Sequence, residues 1–176
     1  RDHLTEDEMT QIAIYLSWGG KLREAETELR ALLRKNPANT RARTQLARVL
    51  LWSGNQEGVN NALTEAETIL KKLPADQDAL YIKAEGLRFK GETDRAIAIY
   101  NSLLVRSDDF DTRIGLSYAY LEKGDIGQAR MTSLPLRPVF PYQKQDFEKL
   151  SRELEKASMP PPKIATVSQA DGLKAE

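Results

Sequence analysis

The feature that most constrains this chain is that it repeats itself. The segment LSWGGKLREAETELRALLRKNP (16–37) aligns without a gap on LRFKGETDRAIAIYNSLLVRSD (87–108). Gly20 falls on Gly91, Ala25 on Ala96, Leu29 on Tyr100 and Leu32 on Leu103. Upstream, Ile12-Ala13 falls on Lys83-Ala84 and Leu16 on Leu87. A further copy carries Leu46-Ala47, Leu50, Gly54, Ala62, Ala66, Ile69 and Pro74, and a last one carries Leu116-Ser117, Tyr120, Gly124 and Ala129. Such a period means one small unit used repeatedly, in which stacked neighbours bury what a single unit leaves open. Large apolar residues three or four apart make one stripe per helix, and small residues let paired helices approach closely. A glycine between two helices allows a positive φ at the end of the first. Pro37 and Pro74 stop the second helix without disturbing its internal hydrogen bonds. The remaining glycines are read in the same way, as turn residues.

Prolines break up the rest of the chain. Pro135, Pro138, Pro141, Pro160, Pro161 and Pro162 crowd the last third, so residues 134–142 and 158–163 are expected to be non-helical. The stretch SLPLRPVFPY (133–142) spaces its prolines by three, which favours extended polyproline geometry. It either routes the chain onward or docks in a groove. Residues 143–157, QKQDFEKLSRELEKA, put Phe147, Leu150, Leu154 and Ala157 on one helical face. That pattern suits the wet-sided cap a stack of repeats needs, or a partner-binding amphipathic helix. Residues 158–176 read as a flexible tail or linker, and 1–5 as an N-terminal extension.

Composition narrows function. Lys plus Arg total 26 and Asp plus Glu total 26, a net charge of +0, which argues against general nucleic-acid binding. Cysteine is absent and His3 is the single histidine. Disulfides, cysteine–zinc sites, thiol catalysis and multi-histidine metal sites are thereby excluded. No stretch approaches the roughly 18 apolar residues of a membrane span, so no direct membrane insertion of this segment is expected. No glycine-rich phosphate loop and no serine–histidine pairing is present. Glu24, Glu26 and Glu28 read as solvated helix faces, and Asp108, Asp109 and Asp111 flank a helix start, where acids complement the dipole. The expectation is a non-enzymatic protein with no catalytic, cofactor or metal site.

The pattern resembles the tetratricopeptide repeat, a helix–turn–helix unit of about 34 residues. Residues 6–39 supply Met9, Ile12, Ala13, Leu16, Gly20, Ala25, Leu29, Leu32 and Pro37, nearly the full motif. Residues 40–76 fit with about three extra residues between Gly54 and Ala62, which lengthen the turn or the second helix. Residues 77–109 carry Leu80, Ala84, Leu87, Gly91, Ala96, Tyr100 and Leu103, with Asp108 in place of proline, and residues 110–133 keep the first helix and Ala129. The close-packing pairs are Ala13/Ala25, Ala47/Ala62, Ala84/Ala96 and Ser117/Ala129. The resemblance implies an all-α fold: an α-solenoid of about four units wound as a right-handed superhelix, plus a C-terminal capping helix. Lys83 stands at a normally apolar position. Its stem is expected to pack while its amine reaches solvent, or it pairs with an acid near Glu85 or in the next unit.

The resemblance also implies a protein–protein interaction scaffold whose first helices line a concave groove holding a peptide or protein segment. Carried over position by position, it names Asp7, Thr10, Ile14 and Trp18, then Arg41, Thr44, Arg48 and Trp52. It continues with Asp78, Tyr81, Glu85, Arg88 and Phe89, and ends with Asp111, Ile114, Tyr118 and Leu121. The partner-binding set is Arg41, Thr44, Arg48, Trp52, Tyr81, Glu85, Arg88 and Tyr118. Trp18, Trp52 and Phe89 fall at equivalent places, as packing against the next unit or as an aromatic lane. Arg41, Arg48 and Arg88 are expected to grip ligand carboxylates. The two-carboxylate clamp of chaperone-tail adaptors is absent, since its positions hold Thr10, Ile14, Gln45, Asp78 and Ile82. The phrases LSWGG and RVLLWSG resemble bacterial envelope proteins of this type, which favours the periplasm or cell envelope. The alternative is a self-associating structural unit.

Overall fold

Side-chain caps and turn glycines set where each helix begins. The computed structural model describes residues 4–159, among which nine helices and no strand occur. In chain order they are α1 (Glu6–Trp18), α2 (Leu22–Lys35), α3 (Thr40–Trp52), α4 (Gln56–Leu70) and α5 (Gln77–Phe89), then α6 (Thr93–Arg106), α7 (Phe110–Glu122), α8 (Ile126–Ser133) and α9 (Pro141–Ser158). His3 and, of the expected tail 158–176, everything from Pro160 onward lie outside the described residues; Ser158 is not tail but the last residue of α9. Thr5 opens α1 in a reciprocal capping box with Glu8. The side-chain oxygens of Asn39, Asp76 and Asp109 accept from the backbone N–H groups of Ala42, Ala79 and Thr112, starting α3, α5 and α7. The second helices follow the turn glycines Gly20, Gly54, Gly91 and Gly124, at φ of 77°, 69°, 78° and 84°. Helices α2 and α6 have no side-chain cap. Their turns close through the main chain, where Lys21 and Glu92 donate to the carbonyls of Leu16 and Leu87 at 2.9 Å.

Packing follows from the small residues. Ala13, Ala25, Ala47, Ala84, Ala96 and Ala129 are fully buried, as is Ser117. Around the first of these, one apolar core runs from Met9 to Ile82, and a second gathers Ala84, Leu87, Ala96, Tyr100, Leu116 and Ala119. Leu63 packs against both, so the stack is continuous. The first helices approach closely in succession, α1 with α3, α3 with α5 and α5 with α7, whereas the backbones of α2, α4, α6 and α8 stand farther from one another. The stack is therefore tighter on the first-helix side and curves around it. Helix α9 leaves the pairwise order. It packs on α7 and α8, burying Leu150 and Leu154 with Ala129 and Leu136.

Several expectations change. The extra residues of the second unit do not lengthen its turn. Helix α4 starts two residues after Gly54, as α2 starts two after Gly20, because Asn55 caps it at the Gly58 N–H. The insertion emerges at the far end, in a longer α4 and a longer loop to Asp76. Val59 thus occupies the place of Ala25 and Ala96, rather than Ala62, although Ala62 is also fully buried. Gly58, Gly86, Gly115 and Gly127 are helical, not turn residues. Lys83 pairs with Glu67 of the preceding unit at 3.5 Å. The connector buries Leu136 under α9 and so routes the chain to the cap. Pro141 is not a connector residue: it is the first residue of α9, where its missing N–H costs nothing. The Gln143 side chain accepts from the N–H groups of Val139 and Phe140 and closes that end. Ala157 stays exposed, outside the apolar cluster that Leu150 and Leu154 join.

Gly115 shows how tight the inner packing is. A Cβ there would stand 2.8 Å from Tyr100 ring atoms and from Glu85 Oε1, and Tyr100 is fully buried. Gly115→Ala is therefore expected to destabilise the protein by about 1–3 kcal/mol in urea unfolding through overpacking, although alanine is the better helix former. At Gly86 the obstacle is the partly buried Leu63 side chain, which can shift, so Gly86→Ala is expected to cost less. A Gly115→Ala midpoint at or above the parent's would contradict this account.

Candidate ligand-binding groove

The inner helices present their side chains in columns, because every unit is in register with its turn glycine. One column holds Trp18, Trp52, Phe89 and Glu122, the last residues of α1, α3, α5 and α7. Trp18 is 70% exposed, Trp52 51% and Phe89 54%, so these rings are not packed away against the next unit. Another column holds Asp7, Arg41, Asp78 and Asp111. A third holds Ile14, Arg48, Glu85 and Tyr118.

The sign alternation in these columns decides what the arginines do. Arg41 meets Asp7 at 2.8 Å, Arg48 meets Asp78 at 2.6 Å, and Arg88 pairs with Glu122 and, at 3.0 Å, with Glu85. Each arginine thus joins one inner helix to the next. The arginines expected to grip a ligand's carboxylates are thus engaged with carboxylates of the chain itself. Thr44 is also not available: it is buried, and its hydroxyl donates to the Thr40 carbonyl at 3.0 Å. Thr10 bonds Glu6 in the same way.

Arg88 is the most enclosed of the three. Its guanidinium lies 4.5 Å from the Phe89 ring centroid and 5.7 Å from that of Tyr118. Burial opposes its charge, but Glu85 above all, with its hydrogen bond, holds it firmly protonated. The Tyr100 hydroxyl donates to Glu85 from the outer helix α6. Burial first, and then the Glu85 charge, push the phenols of Tyr100 and Tyr81 well above their usual range. The two rings meet edge to face, with centroids 6.2 Å apart. The Tyr118 hydroxyl is buried without a hydrogen-bond partner among the described residues.

Against this framework opens a cavity of about 450 Å³. Helix α3 and its turn contribute Arg48, Leu51, Trp52 and Gly54, and α5 contributes Tyr81, Glu85 and Phe89. Asp111 comes from α7, and Tyr142 and Asp146 come from α9. A second hollow, of about 180 Å³, shares Arg48, Tyr81 and Asp111 and runs on towards Gln77 and Ser107. The two make one groove along the inner face. Of the eight expected binding residues, Arg48, Trp52, Tyr81 and Glu85 line the larger cavity together, whereas Arg41, Thr44, Arg88 and Tyr118 do not.

Tyr142 and Asp146 are the lining residues that repeat positions do not name. Helix α9 covers the end of the stack, but its first turns also overhang the groove. The row Tyr142, Asp146, Leu150, Leu154, at steps of four, is the pattern that carries them to the packed side. Their arrival makes the cavity acidic. Neither Asp111 nor Asp146 has a salt bridge among the described residues. Burial raises the Asp111 carboxyl above its ordinary range, and Asp109 and Asp146 raise it further against the pull of Arg48. Burial raises Asp146 too, opposed by Lys149. Among the described residues no helix is long and apolar enough to cross a membrane.

No family model matches the chain, and no curated protein matches it. Solved structures do. TTC0263, a thermophilic TPR protein of Thermus thermophilus, superposes with a TM-score of 0.72 at 19% identity, over 87% of this chain and 88% of that one. MamA from residue 41 to its end, from Desulfovibrio magneticus RS-1, gives 0.60 at 19% identity, over 88% and 77%. A tetratricopeptide repeat protein of Parabacteroides merdae ATCC 43184 gives 0.58 at 21% identity, over 86% and 63%. These likenesses are of backbone, and they agree with the paired helices, the positive-φ turn glycines and the buried alanines. The chain has the tetratricopeptide-repeat fold.

Proposed function

We propose that the chain is a binding scaffold that holds an extended segment of a protein partner along the inner face of α3, α5 and α7. The observation that carries this reading is the cavity of about 450 Å³, with Trp52 and Phe89 half exposed at its rim. Its size falls in the range of roughly 300–1,000 Å³ typical of ligand sites. Half-exposed aromatic rings held by rigid helices bury large area at little entropic cost, which is why tryptophan and tyrosine dominate binding hot spots. The adjoining hollow of about 180 Å³ extends the surface along the inner helices, as an extended chain requires. A setting in a bacterial envelope complex is proposed on the LSWGG and RVLLWSG phrases.

Selection of a displayed random peptide library on the immobilised protein tests this reading. Enriched peptides are expected, and Trp52→Ala should weaken them by about 30-fold or more, the effect of losing a hot-spot ring of about 2 kcal/mol. Val105→Ala, on the outer helix α6 and 88% exposed, is expected to change nothing. Peptides that bind Trp52→Ala as well as the parent would move the site off the groove.

A second reading, self-association, draws on a surface that adjoins the cavity at Tyr142. Leu134, Val139, Phe140 and Tyr142 are all more than half exposed around the start of α9, and Phe140 and Tyr142 stack with centroids 6.0 Å apart. Light scattering over a concentration series decides it. Growth in mass that Phe140→Ser abolishes would support it, and a strict monomer at high concentration would sink it.

A further inference from the structure

We propose that the cavity between α3, α5, α7 and α9 receives a basic side chain, lysine or arginine, of the bound segment, seated between the Trp52 and Phe89 rings and the Asp111 and Asp146 carboxylates. This rests on the scaffold reading and names the ligand chemistry of the same groove.

Charge is the first argument. Among the described residues, Arg48 is the one cationic residue lining the cavity, and it is already held by Asp78, 2.6 Å away. The lining carries three carboxylates, of which Glu85 is neutralised by Arg88. Asp111 and Asp146 remain. A neutral or acidic ligand covering them would take both carboxylates out of water with only the pull of Arg48 on Asp111 and of Lys149 on Asp146 to offset the cost. A cation would turn the same desolvation into attraction.

The second argument is the rings. A cation over an aromatic face gains electrostatic energy that grows as water is excluded. This protein already uses that chemistry one step along the groove. There Arg88 lies against Phe89 and Tyr118 while pairing with Glu85 and Glu122. The cavity offers the same kinds of groups to a cation from outside. Helix α9 completes it, since Asp146 is one of the two available carboxylates. The cap is thereby part of the binding site.

Peptides recovered from the displayed library supply the probe. They are expected to share one lysine or arginine. For a synthetic peptide of that sequence, replacing the basic residue by glutamine should weaken binding by tenfold or more, and replacing it by glutamate should weaken it further. Asp111→Asn combined with Asp146→Asn should cost the parent peptide the same factor and leave the glutamine analogue unaffected. Rising salt should weaken only the parent pair. Asp111→Asn also removes an acid from the first turn of α7, so helicity and melting temperature are measured beside binding, and a double variant that keeps the parent's helicity shows that its loss of binding is not a loss of fold. Recovered peptides lacking a shared basic residue, or equal binding by the double variant, overturn this inference while Trp52→Ala sensitivity keeps the groove. A library that yields no binder overturns both.

Discussion

Everything else in this molecule depends on how closely its inner helices stand side by side. Fully buried alanines bring each pair together, and contact of α1 with α3, α3 with α5 and α5 with α7 tightens one side of the stack. Curvature, groove and side-chain columns follow from that asymmetry. Where a small side chain was still too large, the chain uses glycine. Gly115 lets α7 meet Tyr100 and Glu85, at a distance no Cβ would tolerate.

The ion pairs between inner helices are a consequence of the same proximity. Arg41–Asp7 is largely solvent-facing, and pairs of that kind contribute about 0–1 kcal/mol, whereas Arg48 is partly buried and meets an exposed Asp78. Their effect is on register and on the field in the groove. Arg88 differs, since its side chain is only 10% exposed. A buried charge left without a partner is strongly destabilising, so Glu85, Glu122 and Arg88 act as one unit. Once the arginines are paired inward, the unpaired charges of the groove are acids. Net charge across the whole chain is zero, yet the binding surface has a sign.

Much of the architecture was legible because the repeat reports on itself. Turn glycines and small residues such as Ala13, Ala47 and Ala84 recur at nearly equal spacing, and each repetition strengthens the reading of the others, whereas the caps Asn39 and Asp76 emerged only with the structure. The second unit was misread at Ala62 because alignment on alanine is blind to helix starts. Asn55 sets that start, and a helix tolerates its extra residues at the far end. The groove was legible as a list of positions but not as a set of partners. Exposure of Trp52 and internal pairing of Arg48 depend on the distance to the next unit, which a single repeat does not contain. Asp146 was hidden for a related reason. It belongs to no repeat, and only the docking of α9 on α7 and α8 brings it to the cavity.

The central claim is that ligand contact occurs on the inner face and includes the cap. Backbone amide shift mapping of the full chain during titration with a library-selected peptide tests it most directly. The account predicts perturbations centred on Arg48–Trp52, Tyr81–Phe89 and Asp111, together with Tyr142–Asp146, and quiet outer helices α2, α4 and α6. Perturbations centred on those outer helices, with Trp52 and Asp146 unmoved, would contradict it.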